Sequence, residues 1–138
     1  MYTILVPIDN DENRSQAQAA FVAGLPVNTG EVQVVLTHVL QGAETEAPDA
    51  MRRPDRVETV RDARDVLEDD GYDVDIVEAS TPPAKGILEL SEDVDADLIV
   101  MGGRKRSPTG KALFGSVTQS VILDSDVPVT VTGGKHRE

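Results

Sequence analysis

The segment 101–116 has the composition of an anion-binding loop. Residues 98–123 contain no acidic residue, although the 138-residue chain has 25 of them. The same stretch carries four basic residues, Arg104, Lys105, Arg106 and Lys111. A positive segment on an acidic protein should attract an anion. The alternative is a glycine-rich surface turn whose arginines pair with neighbouring carboxylates.

Glycines in this segment fit the same chemistry. Gly102 and Gly103 follow an apolar run and would let backbone amides approach an anion closely. Gly115 and Ser116 precede a predicted helix, and the amides and dipole of a helix N-terminus favour phosphate. The sequence therefore predicts that a phosphate or another anion binds this loop.

Catalytic groups are sparse. The two histidines are His38, in a predicted strand and expected to be packed, and His136, in a polar tail. Cysteine is absent, and so are HExxH, GxSxG and a complete P-loop. The acidic positions 69–70 and 93–97 are interpreted as solvated helix ends and loops rather than metal sites. We expect no enzyme.

The net charge of −12 excludes some partners. Binding to nucleic-acid backbones depends on neutralising phosphates, so a nucleic-acid partner is not expected. Only four of the 13 basic residues are lysine, and an acidic, lysine-poor surface resembles that of proteins from salt-loving organisms. The N-terminal apolar run is too short to span a membrane and lacks signal-peptide features, which predicts a cytoplasmic protein with no membrane partner.

Strand and helix patterns alternate along the chain. Buried-strand patterns occupy residues 3–8, 31–40 and 97–101, an edge-strand pattern of alternating apolar and acidic residues occupies 72–79, and a last strand covers 127–132. Helices are predicted within 10–25 and 55–70, after Pro82-Pro83, and over 116–123. The order β-α-β-α-β-α-β-α-β predicts one domain, 1–138, with a five-stranded parallel sheet covered by helices on both faces: a doubly wound α/β fold.

Two strand ends are candidate positions for a ligand. In open parallel sheets ligands bind beyond the carboxyl ends of the strands, where strand order reverses. Asp9 directly follows the first strand, and the loop 101–116 follows the fourth.

These motifs resemble those of the universal stress protein family. Its members start with a strand ending in V-P-x-D and carry G-x2-G-x9-G-(S/T) after the fourth strand, where the loop holds the phosphates of ATP in members that bind it. The chain has Val6-Pro7-Ile8-Asp9, and Gly102 is followed at the matching spacing by Gly115-Ser116. The resemblance spans nearly the whole chain and implies a Rossmann-like, adenine nucleotide alpha hydrolase-like fold.

One motif position departs from the family. Lys105 stands where the second glycine would fall, and a residue with a Cβ disfavours positive φ. The substitution either weakens ATP binding or supplies a charge to the phosphates. Gly103 is a second candidate for the missing backbone role.

The resemblance implies a set of nucleotide-binding residues, with ATP and an accompanying Mg²⁺ as the expected cofactors. Pro7 and Ile8 would line the base pocket, and Asp9 would lie at the ribose or metal side or act as a helix cap. The backbone of Val39 would recognise adenine, unless it is plain core. The full set is Pro7, Ile8, Asp9, Val39, Met101, Gly102, Arg104, Lys105, Gly115, Ser116, Val117 and Thr118.

The function expected from the resemblance is a nucleotide-binding stress-response or regulatory protein, with at most slow incidental ATP hydrolysis. Residues 127–132 are β-rich and uncharged, which suits a sheet edge that pairs with its twin in a homodimer. One alternative is an interaction module of the same fold that binds no nucleotide. A nucleotidyl transferase is a third hypothesis, and the lack of acid–base groups near the loop argues against it.

Overall fold

A computed structural model describes residues 1–40, 53–103 and 115–133. The strands are β1 Tyr2–Ile8, β2 Val32–His38, β3 Asp73–Ile76, β4 Leu98–Gly102 and β5 Val129–Thr132. The helices are α1 Glu12–Ala23, α2 Glu58–Asp69, α3 Pro83–Asp93 and α4 Ser116–Asp124, with single 3₁₀ turns at Thr29–Glu31 and Pro54–Arg56.

All five strands are parallel and pair in the order β3-β2-β1-β4-β5. The predicted fold class is therefore confirmed. The alternating strand β3 lies at one edge of the sheet, as its pattern indicated, and β5 lies at the other. Strand order reverses between β1 and β4, which makes the gap above these two strands the topological switch point.

Side-chain alternation along each strand divides the core into two layers. On one face Ile4 and Val6 pack with Val34 and Leu36 against α1 and α2. On the other face Leu5 packs against α3 and α4, in a layer that also holds Val35, Ile87, Leu90, Ile99 and Val121. Burial on both sides explains why β1, β2 and β4 are almost continuous apolar runs.

Strand boundaries differ from the sequence prediction where side chains form turns. β5 begins at Val129 rather than at residue 127. The hydroxyl of Ser125 donates to the carbonyl of Val127 at 2.8 Å, and the Val127 amide donates to the Ser125 hydroxyl at 3.1 Å. This local turn occupies the backbone of Val127, so the strand starts two residues later.

Candidate functional site

The switch point is spanned by a side chain from α1. The β1–β4 ladder pairs Ile4 with Leu98 and Leu5 with Ile99. Beyond it, Nε2 of Gln18 donates to the carbonyl oxygens of Pro7 at 2.7 Å and Val100 at 3.0 Å. Gln18 is only 1% exposed. Its amide therefore links the carboxyl ends of two strands at the point where the crevice opens.

A cavity of about 480 Å³ lies above these strand ends, within the size range of small-molecule sites. Its lining includes both apolar and polar residues. The apolar lining residues are Pro7, Val39, Leu40, Pro83, Met101 and Val117, and the others are Asp9, Arg14, Gln18, Gly102, Gly115, Ser116 and Thr118. Such a wall can hold a flat apolar ring on one side and polar or charged groups on the other.

The N-terminus of α4 supplies the anion-binding groups among the described residues. Gly115 is the N-cap and makes no side-chain capping bond, and the first turn has no acidic residue. The first helical hydrogen bond runs from the Gln119 amide to the Gly115 carbonyl at 3.0 Å. The three preceding amides, of residues 116–118, have no acceptor within the helix, and they lie on the cavity wall. Amides and helix dipole together favour an anion here.

Gly102 and Gly103 are needed for close packing. A Cβ on Gly102 would lie 3.1 Å from Oε1 of Gln18 and 3.3 Å from Cβ of Arg14, so glycine lets β4 and α1 meet at the cavity. A Cβ on Gly103 would lie 2.3 Å from the carbonyl oxygen of Thr132. The Gly103 amide itself donates to that oxygen at 3.0 Å. The Gly103 amide is therefore already used by the sheet, which argues against Gly103 as the replacement for the missing motif glycine.

Asp9 is held by a network of its own. Its Oδ2 accepts from Nε of Arg14 at 2.8 Å and its Oδ1 accepts from the Asp11 amide at 2.9 Å. Its carbonyl oxygen accepts from the Thr59 hydroxyl at 2.6 Å, which ties the start of α2 to the end of β1. The helix cap of α1 is Asp11, whose carboxylate accepts from the Arg14 amide at 2.9 Å. Asp9 is thus neither the cap nor an unpaired carboxylate.

Nine of the expected site residues line this one cavity: Pro7, Asp9, Val39, Met101, Gly102, Gly115, Ser116, Val117 and Thr118. Ile8 does not line it. Because side chains alternate along β1, the Ile8 side chain points into the α1–α2 core layer and is completely buried, so only its backbone could contact a base in the cavity. Arg104 and Lys105 lie outside the described residues.

Four lining residues were not expected: Arg14, Gln18, Leu40 and Pro83. Arg14 and Gln18 are separated by one helical turn, and this spacing after a strand-ending aspartate is the signal that could have found them. Val39 belongs to the core layer on the α3–α4 face and also lines the cavity, and recognition of adenine by its backbone stays a prediction. His38 is packed as predicted, with Nδ1 2.9 Å from the Ile8 carbonyl oxygen.

Two further observations concern metals and membranes. Carboxylate oxygens of Glu12, Glu58 and Asp62 lie within 4.8 Å of one another, but all three residues are exposed. They are away from the cavity wall. In the part of the chain that the structure describes, no helix has the length and apolar character needed to cross a bilayer.

The fold and the crevice define the class: a doubly wound α/β protein with a cavity at the β1–β4 switch point. Residues 1–133 match the model of the Universal stress protein family. The chain belongs to this family.

Individual relatives agree with this assignment. The chain is 30% identical over 122 residues to the stress response protein NhaX of Bacillus subtilis, covering 88% of this chain and 69% of that protein. It is 33% identical over 134 residues to the universal stress protein Sll1654 of Synechocystis, covering 94% and 83%. A third relative, universal stress protein MJ0577 of Methanocaldococcus jannaschii, is 36% identical over 70 residues, 51% of this chain and 43% of that protein.

Solved structures show the same fold. A universal stress protein from Archaeoglobus fulgidus superposes with a TM-score of 0.76 at 31% identity, over 96% of this chain and 98% of that chain. A universal stress protein from the same organism in complex with dAMP has a TM-score of 0.66 at 24% identity, over 96% and 98%. An Arabidopsis thaliana family protein with AMP bound has a TM-score of 0.66 at 14% identity, over 96% and 91%.

Proposed function

We propose that this protein binds an adenine nucleotide in the β1–β4 crevice and acts as a stress-response or regulatory binding protein rather than a catalyst. The observation that carries the proposal is the placement of the α4 N-terminus and an apolar wall in one cavity of nucleotide size. Relatives of the same fold hold dAMP and AMP, which supports this class of ligand. Cytoplasmic location is part of the same proposal.

The two sides of the cavity suit the two ends of such a ligand. The base would lie against Pro7, Val39 and Leu40, and the phosphates would lie at the first turn of α4. The Val39 amide already donates to the Ile8 carbonyl at 2.8 Å, which leaves the Val39 carbonyl as the backbone group for an exocyclic amine. Gly102, Gly115, Ser116, Val117 and Thr118 would surround the phosphates, together with Arg104 and Lys105, which are outside the described residues.

Magnesium fits Asp9 poorly. Both carboxylate oxygens of Asp9 already accept hydrogen bonds, from the Arg14 guanidinium and from the Asp11 amide. Mg²⁺ retains several of its waters, and the positive guanidinium already paired with Asp9 would repel a second cation at this carboxylate. A magnesium ion that arrives with ATP would therefore be held by the phosphates and water, not by Asp9.

A charge placed at Ser116 tests the proposal. Ser116 is exposed in the first turn of α4, so Ser116→Asp should stabilise the helix dipole while repelling a phosphate. We expect ATP affinity, measured by calorimetry, to fall about tenfold or more while thermal stability is kept. Gln119→Glu adds the same charge at the next exposed position of the helix, beyond the free amides, and is the matched control.

Two results would contradict the proposal, each in a different way. One is a folded wild-type protein that binds neither AMP nor ATP and releases no nucleotide on denaturation. The other is equal ATP affinity in Ser116→Asp, Gln119→Glu and wild type. The first result would favour the interaction module that binds no nucleotide, and partner capture would then be the next experiment. The second result would reject the first turn of α4 as the position of the phosphates.

We also propose a homodimer that pairs through residues 127–132. β5 is an edge strand of the sheet, and this segment carries no charge. An uncharged, unprotected edge invites strand pairing. Thr130→Lys places a charge on the edge and should shift the mass measured by light scattering from dimer to monomer. A monomeric wild type would reject this part of the proposal.

A further inference from the structure

Arg14 is a cationic residue on the crevice wall to which the family resemblance assigns no role. It lies in the first turns of α1, its side chain is 24% exposed, and it lines the same cavity as the start of α4. Among the described lining residues it is the one with a positive charge.

Gly102 fixes where Arg14 lies relative to α4. A Cβ on Gly102 would be 3.3 Å from Cβ of Arg14. On its other side, the carbonyl oxygen of Gly102 accepts from the hydroxyl of Thr118 at 3.4 Å. Gly102 therefore lies between α1 and the first turn of α4. An anion above Gly102 would have Arg14 on one side and the helix amides on the other.

The guanidinium is anchored but not saturated by its ion pairs. Nε donates to Asp9 at 2.8 Å, whereas Nη1 is 3.8 Å from the nearest carboxylate oxygen of Asp11. A guanidinium carries five N–H donors in a rigid fork. One edge can stay on Asp9 while other donors bind a phosphate, a bidentate role that arginine fills better than lysine.

The Asp9 carboxylate lies in the same cavity, and the positive charge of Arg14 neutralises it. This carboxylate is mostly shielded from solvent, with 15% of its side chain exposed. Without the arginine this carboxylate would be an uncompensated negative charge close to the position of the phosphates. Like charges at short range in a partly enclosed site repel strongly.

We propose that Arg14 sets the charge preference of the crevice: it neutralises Asp9 and donates its remaining N–H groups to a phosphate above Gly102. This inference depends on the nucleotide function proposed above. It predicts that the contribution of Arg14 grows with the charge of the ligand.

Calorimetric titration of the full chain with adenosine, AMP and ATP tests the inference. In Arg14→Gln, ATP affinity should fall about tenfold or more, the scale of a lost charge-assisted hydrogen bond, and AMP affinity less. Adenosine affinity should stay within about twofold. Arg64→Gln is the matched control, because Arg64 pairs with Asp65 and Glu68 on the surface of α2, away from the cavity.

A second variant separates binding from positioning. If Arg14 neutralises Asp9, then adding Asp9→Asn to Arg14→Gln should restore part of the lost ATP affinity. Equal losses for adenosine and ATP in Arg14→Gln would mean that Arg14 only holds Asp9 in place, and would overturn the inference. An ATP affinity in Arg14→Gln equal to that of the wild type would also overturn it, while the nucleotide function would stand. A wild type that binds none of the three ligands would reject both.

Discussion

The side-chain amide of Gln18 donates to the carbonyl oxygen of Val100 at 3.0 Å, joining the first helix to a strand 82 residues further along the chain. Burying a polar side chain costs free energy unless the side chain is hydrogen-bonded, and Gln18 is only 1% exposed. Gln18 avoids this cost by donating hydrogen bonds to the two strands that flank the crevice.

Replacing Gln18 by methionine should therefore lower stability. The variant keeps the volume of the side chain but leaves the carbonyls of Pro7 and Val100 without this donor. We expect the free energy of unfolding, from urea titration, to fall by about 1–3 kcal/mol. Gln16→Met on the exposed side of the same helix should change it by less than about 0.5 kcal/mol. Equal losses in both variants would contradict the role of Gln18.

Thr37 and Thr59 should respond in opposite directions to the same substitution. The Thr37 hydroxyl is buried and has no hydrogen-bond partner among the described residues, so Thr37→Val removes an unsatisfied group and should raise stability by up to about 1 kcal/mol. The Thr59 hydroxyl donates to the Asp9 carbonyl at 2.6 Å, so Thr59→Val should lower stability by about 1–2 kcal/mol. Thermal melts of the two variants check the signs, and a destabilised Thr37→Val would show that the hydroxyl has a partner in solution.

Gly86 in α3 has no room for a side chain. An added Cβ would lie 1.7 Å from the backbone carbonyl oxygen of Ser80, which cannot move away as a flexible side chain would. We expect Gly86→Ala to destabilise the protein by about 3 kcal/mol or more, since the backbone must shift. Gly30→Ala, where the nearest atom is the Asn28 side-chain oxygen at 3.4 Å, should be nearly neutral. Similar melting temperatures for both variants would show that α3 can move.

Tyr72 should make stability depend on alkaline pH. Its hydroxyl donates to the Val22 carbonyl at 2.7 Å, and burial, assisted by the negative charge of Asp70, raises its pKa above the ordinary value of 10.0. The folded state therefore holds the proton more tightly than the unfolded state. The resulting stability is complete below pH 10 and is lost as the pH rises from there through the raised pKa.

Urea midpoints between pH 8 and 11 check this linkage. Tyr72→Phe should be less stable at pH 8 by about 1 kcal/mol and should lose less stability on going to pH 11. Tyr2→Phe, at a position 45% exposed, should follow the wild-type profile. Parallel profiles for wild type and Tyr72→Phe would assign the alkaline loss to other groups.

The fold could be predicted from sequence because each element has a local cause. Runs such as residues 3–8 have the apolar continuity of strands buried on two faces, and the acidic alternation around Val74 indicated an edge. Parallel topology follows from regular alternation of strands and helices. Asp9 and the segment around Gly115 reached the same cavity because parallel strands end at the same side of a sheet.

The missed features depend on tertiary contacts. Gln18 was overlooked because apolar spacing alone selects Ala17 and Phe21 for the inner face, while a buried glutamine needs partners that only the assembled sheet provides. The match to a motif does not show that the Ile8 side chain lies in the core, because the alternation along β1 decides which face it occupies. That residues 1–138 form one domain, and that Lys105 affects the ligand, stay predictions.

The adjacent glycines at the end of β4 are required for separate packing reasons. This affects which residues indicate that a related chain has lost its ligand. Gly102 makes room for α1, and Gly103 makes room for the backbone of Thr132. Neither requirement vanishes when a ligand is lost. A descendant that no longer binds anything in the crevice would thus be expected to retain both glycines, because selection on folding alone preserves them. Selection for binding would no longer preserve Arg14 in such a lineage. A substitution at this position would therefore be better evidence that binding has been lost.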